Sequence, residues 1–434
     1  MRNKWLIAIP IILLLIGVCG AIVLTGFFAF REMRGISFNL PFTQRFEYEA
    51  EREVTQQFEV NGPAKLIVDN RFGNVRVERG TDPVIHVLAV ETAYGSSQAA
   101  AEAALDILQV TMEQTGDTVR VRVKVEPGPS RNHTIGQVAF TITVPEETSV
   151  EIDTNSGDIT LTGIEGEANL TTRFGSVEIS DVQGGPLTVN TGSGRIQASN
   201  IQTGSLDITL ETDFGEVNLE NAAGGQVLLK TRNGPVSVSQ VDAGGLVDLY
   251  SEFGRIEYNL GSAASVKLKT RNGDINVANV EAGSSLTAAS DFGTIRLTGV
   301  DAARYDLSSR NGAIHADGVQ GPVKAHSDFG DVEVKDGENA TLDLKSKNGA
   351  VRYEGSLGSG PHTITSDFGA IQLRLPADSA FDFDLSTNFG KISSEFEVKI
   401  SGAPDEDHWV GQVNGGGASL TITTKNGNIM LETY

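Results

Sequence analysis

Thr212-Asp213-Phe214-Gly215-Glu216-Val217 is answered downstream by Thr231-Arg232-Asn233-Gly234-Pro235-Val236. The shared pattern is Thr or Ser, a charged residue, Phe or Asn, Gly, any residue, then Ile or Val. Its Gly recurs at 157, 175, 194, 215, 234, 254, 273, 293, 312, 330, 349, 369 and 390, and again at 427. Spacings up to Gly390 run from 18 to 21 residues, and the last gap of 37 is about two periods. An isolated copy, Phe72-Gly73-Asn74-Val75, stands upstream. A fixed period near 19–20 over more than half of a chain marks a repeat architecture.

Around each Gly the apolar residues alternate with polar ones. Val227 and Leu229 precede Gly234, and Ile275 and Val277 follow Gly273. Period-two alternation on both sides of a turn predicts strand, turn, strand in every unit. The Gly is expected to supply a positive φ that a β-branched residue cannot adopt. The Thr/Ser series three positions before it is expected to point inward and satisfy turn backbone groups, not to be a row of nucleophiles.

Two arrangements fit these units: an antiparallel meander of hairpins, or a parallel solenoid whose equivalent positions stack about 4.8 Å apart. The position two before each Gly decides between them. From Gly215 to Gly369 it reads Asp213, Arg232, Glu252, Arg271, Asp291, Arg310, Asp328, Lys347, Asp367, with a change of sign at every step. The next position alternates in phase: Phe214, Asn233, Phe253, Asn272, Phe292, Asn311, Phe329, Asn348, Phe368. In a solenoid each charge lies between two opposite charges of neighbouring coils, which relieves a repulsive ladder. In a meander the alternation has no purpose. The expected fold is therefore all-β: a single-stranded parallel β-solenoid (β-helix) of about 19–20-residue coils, with one short N-terminal capping helix and an N-terminal transmembrane helix.

Residues 1–34 read as a basic tail and transmembrane signal-anchor. Trp5 to Phe30 are 26 uncharged, mostly apolar positions between Arg2/Lys4 and Arg31/Arg34, longer than the roughly 20 residues that cross a bilayer. A cleaved signal peptide or a lipoprotein leader are the competing readings of that stretch. The expected location is the cell membrane, single-pass, with the ectodomain extracytoplasmic. Residues 35–57 read as a connector. Residues 58–149 read as a strand-helix-strand cap, its helix within Ser96–Gln109, with Val84–Val90 expected to be a strand buried on both faces. Residues 150–434 read as solenoid repeats with a C-terminal cap.

A formal net charge of −22 argues against a nucleic-acid partner. One cysteine, Cys19, excludes an intramolecular disulfide framework. The six histidines form no i, i+4 pair, and His315 and His326 need not meet. Asp-Phe-Gly matches a kinase magnesium motif in letters only, since its companions are missing. Asp405-Glu406-Asp407 reads as a solvated acidic loop. No cofactor, metal or catalytic residue is expected, and coils this regular lack the insertions that build a polysaccharide-cleaving groove.

The apolar span, the connector, the strand-helix-strand opening, Val144-Pro145 and units such as Thr154-Asn155-Ser156-Gly157-Asp158-Ile159 and Thr191-Gly192-Ser193-Gly194-Arg195-Ile196 resemble the bacterial β-strand-repeat "putative adhesin" family. That is a membrane-anchored domain family of unknown function. The chain departs from it in carrying Phe-Gly in every second coil. The resemblance implies no catalytic residues. The expected function is a non-catalytic adhesion, interaction or envelope scaffold module. A cell-envelope stress-sensing accessory protein is the alternative, and a carbohydrate-active β-helix enzyme is the weakest reading. The candidate interaction stripe is Phe174, Phe214, Phe253, Phe292, Phe329 and Phe368, facing a cell-envelope protein or glycan; the competing reading has each ring cover the adjacent corner and shield its backbone.

Overall fold

The computed structural model describes residues 48–125, 135–402 and 405–434. The expected signal-anchor at 1–34, with its membrane contact, lies outside the described residues. Among the described residues no helix is long and apolar enough to cross a membrane.

The alternating units stack as parallel coils. Leu210 pairs with Val189 on one side and Leu229 on the other, and Leu219 lies between Ala198 and Val238. The meander is thereby excluded. Inward residues such as Leu229, Leu249 and Leu268 are fully buried, and each such side chain contributes about 1.5–3 kcal/mol. One continuous core runs from Phe58 to Leu431. Tyr258, Tyr305 and Tyr353 lie wholly within it. Their hydroxyls reach the carbonyls of Val241, Val300 and Ser356 at 3.1, 2.6 and 2.6 Å. Burial pushes all three phenols above their usual pKa.

The corner glycines are needed for a reason other than the one expected. Fifteen of them stack, in the order 73, 157, 175, 194 and so on to 369, 427 and 390. A methyl group on any one after Gly73 would overlap the preceding glycine's carbonyl. Gly234, Gly254 and Gly273 do not have a left-handed φ. Steric closeness of stacked backbones is therefore what excludes larger residues throughout the ladder, with a positive φ added only at some corners, such as Gly73 at 115°. Left-handed residues occur instead at a second corner six positions on, at Asp181, Asn200, Asn221, Gln240 and Asn279, with φ of 52–58°. Asn and Asp tolerate this conformation. Here Asn221 Nδ2 donates to Asn200 Oδ1 at 2.7 Å, and Asn200 Nδ2 to Asp181 Oδ1 at 3.0 Å. Each coil thus turns twice and continues into a third short extended run, as at Val182–Gln183 paired with Ile201–Gln202.

The N-terminal end is closed by strands β1 (Tyr48–Glu59), β2 (Ala64–Phe72), β3 (Val75–Arg79) and β4 (Val84–Gly95). Helix α1 (Gln98–Leu105) and strands β5 (Leu108–Thr115), β6 (Thr118–Val125) and β7 (Ile135–Val144) complete it. Residues 48–57, expected as connector, belong to β1, whose twelve residues pair antiparallel with β4. The helix is shorter than expected: Ser97 caps its start, its Oγ accepting from Ala100 N at 3.2 Å, and at the other end Leu108 already belongs to β5. β4 is not buried on both faces. Ile85, Val87 and Ala89 face the core, while Val84, His86 and Leu88 are half-buried. Arg52 on β1 ties this end together. It binds the buried Glu91 through Nε at 2.6 Å and the carbonyls of Leu105 and Leu108 at 3.2 Å, where α1 ends.

The C-terminal end departs from chain order. Residues 418–433 do not stack last. His362–Ser366 pairs with Leu420–Thr424, which pairs on its far side with Phe383–Thr387. The last unit of the sequence is inserted between the two units before it, and so the 37-residue gap is not a skipped coil. His408–Val413 then covers Phe381–Ser386 in antiparallel pairing, protecting the sheet edge.

Candidate functional site

Each inward hydroxyl of the Thr/Ser series donates to the carbonyl of the neighbouring coil's corner glycine. Thr191 reaches Gly175 at 2.9 Å, Thr231 reaches Gly215 at 2.9 Å and Ser309 reaches Gly293 at 2.9 Å. At Ser309, Ser327, Ser346 and Ser366 the oxygen also accepts the N–H of its own coil's glycine at 2.8–2.9 Å. The expected turn-satisfying role is what the hydroxyls perform. Thr154 differs: its buried Oγ1 has no partner. The carbonyl it would reach by analogy, that of Gly73, accepts from Asn70 Nδ2 at 3.0 Å.

With the hydroxyls turned in, the following residue turns out. The charge series makes discrete pairs, in which the cation reaches one coil back. Arg232 meets Asp213 at 3.1 Å, Arg310 meets Asp291 at 3.4 Å and Lys347 meets Asp328 at 2.7 Å, and Arg271 meets Glu252 likewise. Each charge lies between two opposite charges, as expected, and its ion pair is made to one of them. A flexible side chain commits to one partner, and such exposed pairs contribute only a few tenths of a kcal/mol. Lys425 of the inserted coil meets Asp367 at 2.9 Å.

The Phe positions come together as one edge. Phe174, Phe214, Phe253, Phe292, Phe329 and Phe368 are 46–61% exposed. About half of each ring stands in solvent and half is covered. Two further rings extend the line: Phe72 at 46% and Phe389 at 82%. Along the stack the corners read Phe72, Ser156, Phe174, Ser193, Phe214, Asn233, Phe253, and so on to Phe368, Asn426, Phe389. Strict alternation of ring and gap survives the C-terminal insertion. In chain order Phe368 and Phe389 would be adjacent; the inserted Asn426 separates them. Rings two coils apart stand roughly 9–10 Å apart. The intervening amides are held down, with Asn311 and Asn348 Nδ2 donating to Asp291 and Asp328 carbonyls at 3.1 and 3.0 Å. Arg271 lies 6.0 Å from the Phe253 ring centroid, within cation–π range.

Beside this edge, the outer sheet face holds an open groove of about 790 Å³ lined by Asp153, Arg173, Asn190, Glu211, Lys230 and Tyr250. Gly192, without a side chain in the outward row, widens it. Much of its charge is internally paired, as Lys230 with Glu211 at 3.7 Å.

His315 and His326 stay apart, bound to Glu333 at 3.0 Å and Asp343 at 2.9 Å. Partial burial of Glu333 opposes its ionisation, but hydrogen bonds from Lys335 and His315 outweigh it and hold the carboxyl below its usual pKa. Among the described residues, no three His, Cys, Asp or Glu side chains gather as a metal site. His362 is fully buried in a core row between Leu342 and Leu420. Its Nδ1 accepts from Leu342 N at 3.3 Å and its Nε2 lies 3.2 Å from the Gly358 carbonyl. Burial lowers its pKa. The acidic residues Asp405, Glu406 and Asp407 are exposed.

Fold and edge together define a parallel β-solenoid with an aromatic corner line. The chain belongs to the Toastrack DUF4097 family, whose model matches residues 64–240, 205–326 and 264–432. Solved structures with similarity include a "putative adhesin" from Bacteroides fragilis, 15% identical, covering 57% of this chain and 97% of that one with a TM-score of 0.28. A "putative cell adhesion protein" from Clostridium sporogenes is 9% identical, with coverage of 89% and 100% and a TM-score of 0.17. A "putative adhesin" from Parabacteroides distasonis is 9% identical, with coverage of 75% and 93% and a TM-score of 0.22. No curated protein matches.

Proposed function

We propose that this chain is a membrane-anchored, extracytoplasmic β-solenoid that acts as a non-catalytic adhesion or interaction module, with the Phe corner edge as its contact surface. The observation that carries the reading is the line of eight rings, each 46% exposed or more, on a fold whose other large apolar residues are mostly inside. Contiguous exposed apolar surface on a protein otherwise covered by polar groups marks an interaction site. Anchoring follows from the 26-residue apolar stretch Trp5 to Phe30 and its short basic leader.

The test is adhesion by cells displaying the full chain, compared with cells displaying Phe253→Asn/Phe292→Asn/Phe329→Asn. Asn already occupies equivalent corners, so the variant is expected to fold and to adhere poorly. Undiminished adhesion by a folded, equally displayed variant removes the edge from the function. Protease added to intact cells is expected to degrade the ectodomain; protection until lysis reverses the orientation.

A further inference from the structure

We infer that the partner of the Phe edge is a second copy of this chain, docked antiparallel so that each ring of one copy enters an Asn or Ser gap of the other. The inference rests on the reading of the edge as a contact surface and names its occupant.

Shape gives the first argument. Rings and small polar corners alternate without a break over fifteen coils, from Phe72 to Phe389. Such a line is complementary to itself when displaced by one coil. A two-fold axis perpendicular to the stack produces that displacement whenever it passes midway between a Phe corner and an adjacent Asn or Ser corner. A two-fold axis parallel to the stack cannot, because it opposes each corner to its own copy. The antiparallel arrangement is the isologous solution.

Charge gives the second, independent argument. From Phe214 to Phe368 every ring corner carries an acid beside it and every Asn corner a base, as in Asp213 against Arg232 and Asp328 against Lys347, whereas Phe72 and Phe174 carry Arg71 and Arg173, and Phe389 carries Asn388. In the antiparallel pair the charged rows of the two copies lie on the same side of the contact. A ring opposite a gap therefore sets acid opposite base along the stretch from Phe214 to Asn426, the middle and C-terminal part of the edge. Ring opposite ring would set acid against acid, which opposes the wrong register. The phase lock between two adjacent positions of the repeat has a use here that coil stacking alone does not require, because intrachain pairing would be served equally with Phe beside the bases.

Area gives the third. A Phe side chain presents roughly 200 Å², and these rings are about half exposed. The seven that a one-coil displacement can seat supply on the order of 700 Å² per copy, within the range of a standard interface on one partner. Antiparallel docking places the residue-48 ends of the two copies at opposite ends of the pair, the orientation expected for chains reaching from two facing surfaces.

The experiment is sedimentation of the full chain in mild detergent across a concentration series, with three sequences. Wild type is expected to dimerise. The variant Phe253→Asn/Phe292→Asn/Phe329→Asn is expected to weaken dimerisation at least tenfold. Asn233→Phe/Asn272→Phe fills the gaps between Phe214, Phe253 and Phe292, at corners where Phe is a native occupant of equivalent positions. It is expected to weaken dimerisation similarly, although it adds apolar surface. Circular dichroism melting identifies any variant that misfolds, and the other variant then decides. A monomeric wild type overturns the second-copy inference, and so does a dimer that survives loss of the rings. Stronger association on filling the gaps also overturns it, since indiscriminate apolar contact would then suffice. Reduced cell adhesion by the ring variant alongside a monomeric wild type would leave the edge as a contact surface for a different partner.

Discussion

Ser309 offers a sharp test of how the corners are held. Its Oγ donates to the Gly293 carbonyl at 2.9 Å and accepts from Gly312 N at 2.9 Å, in a site 6% exposed. Ser309→Ala removes both partners and brings none. Each buried backbone group left without a partner costs about 1–3 kcal/mol, so the substitution is expected to destabilise by about 2–4 kcal/mol. Thr231→Val provides the comparison. Thr231 makes one such bond, to Gly215 at 2.9 Å, and the valine methyl recovers some burial. Its expected cost is about 1–2 kcal/mol. Ser309→Thr is expected to recover most of the loss, because Thr424 makes both bonds, each at 3.2 Å. Repeat arrays need not unfold in one step. Urea unfolding should therefore be paired with hydrogen exchange at Gly312 and Gly234. Faster exchange at Gly312 in Ser309→Ala is expected, with Gly234 unchanged. A loss no greater than that of Thr231→Val would refute the two-bond account of the corner.

Other outcomes follow from the same structure. Gly273→Ala, whose methyl would overlap the Gly254 carbonyl, is expected to cost 3 kcal/mol or more by analogy with severe overpacking. Gly283→Ala meets only carbonyls at 3.8 Å and should be neutral or stabilise by about 0.4–1 kcal/mol, both read by urea midpoints. For His362, the folded pKa lies below the ordinary value of 6.5, so on acidification the unfolded chain takes up the proton first. Stability is full above 6.5 and falls as pH drops below it, by up to about 1.4 kcal/mol per pH unit, until the folded pKa is passed. His362→Gln should flatten that segment of a stability–pH profile. Deleting residues 416–434 removes a coil from between two others, so exchange protection should be lost at Phe381–Thr387 as well; retained protection there contradicts the inserted order.

The sequence by itself determined the parallel stack, because alternating apolar residues, a recurring Gly and a sign-alternating charge row have only one arrangement that uses all three. It also determined the inward hydroxyls and the alignment of six Phe corners, but not whether those rings stand in solvent or cover the neighbouring corner. It did not determine why the corners are glycine: the cause is the carbonyl of the coil below, a contact between residues about nineteen apart that exists only once coils stack. The second corner was legible in principle from Asp181, Asn200, Asn221 and Asn279, six positions after the corner glycines, but Gln240 and Leu260 at equivalent places blur the signal. Phe72 lay outside the regular spacing, and Phe389, though at regular spacing, follows the uncharged Asn388. Their place in the edge depends on which coil stacks on which, and stacking order need not follow chain order. Asn426 could fall between Phe368 and Phe389 only because the chain skips one coil's height after Leu375, builds the coil of Phe381–Ser394 there, and returns through residues 397–417 to fill the space, and the energy that favours the return is spread over a buried core and a glycine ladder that no local stretch of sequence contains.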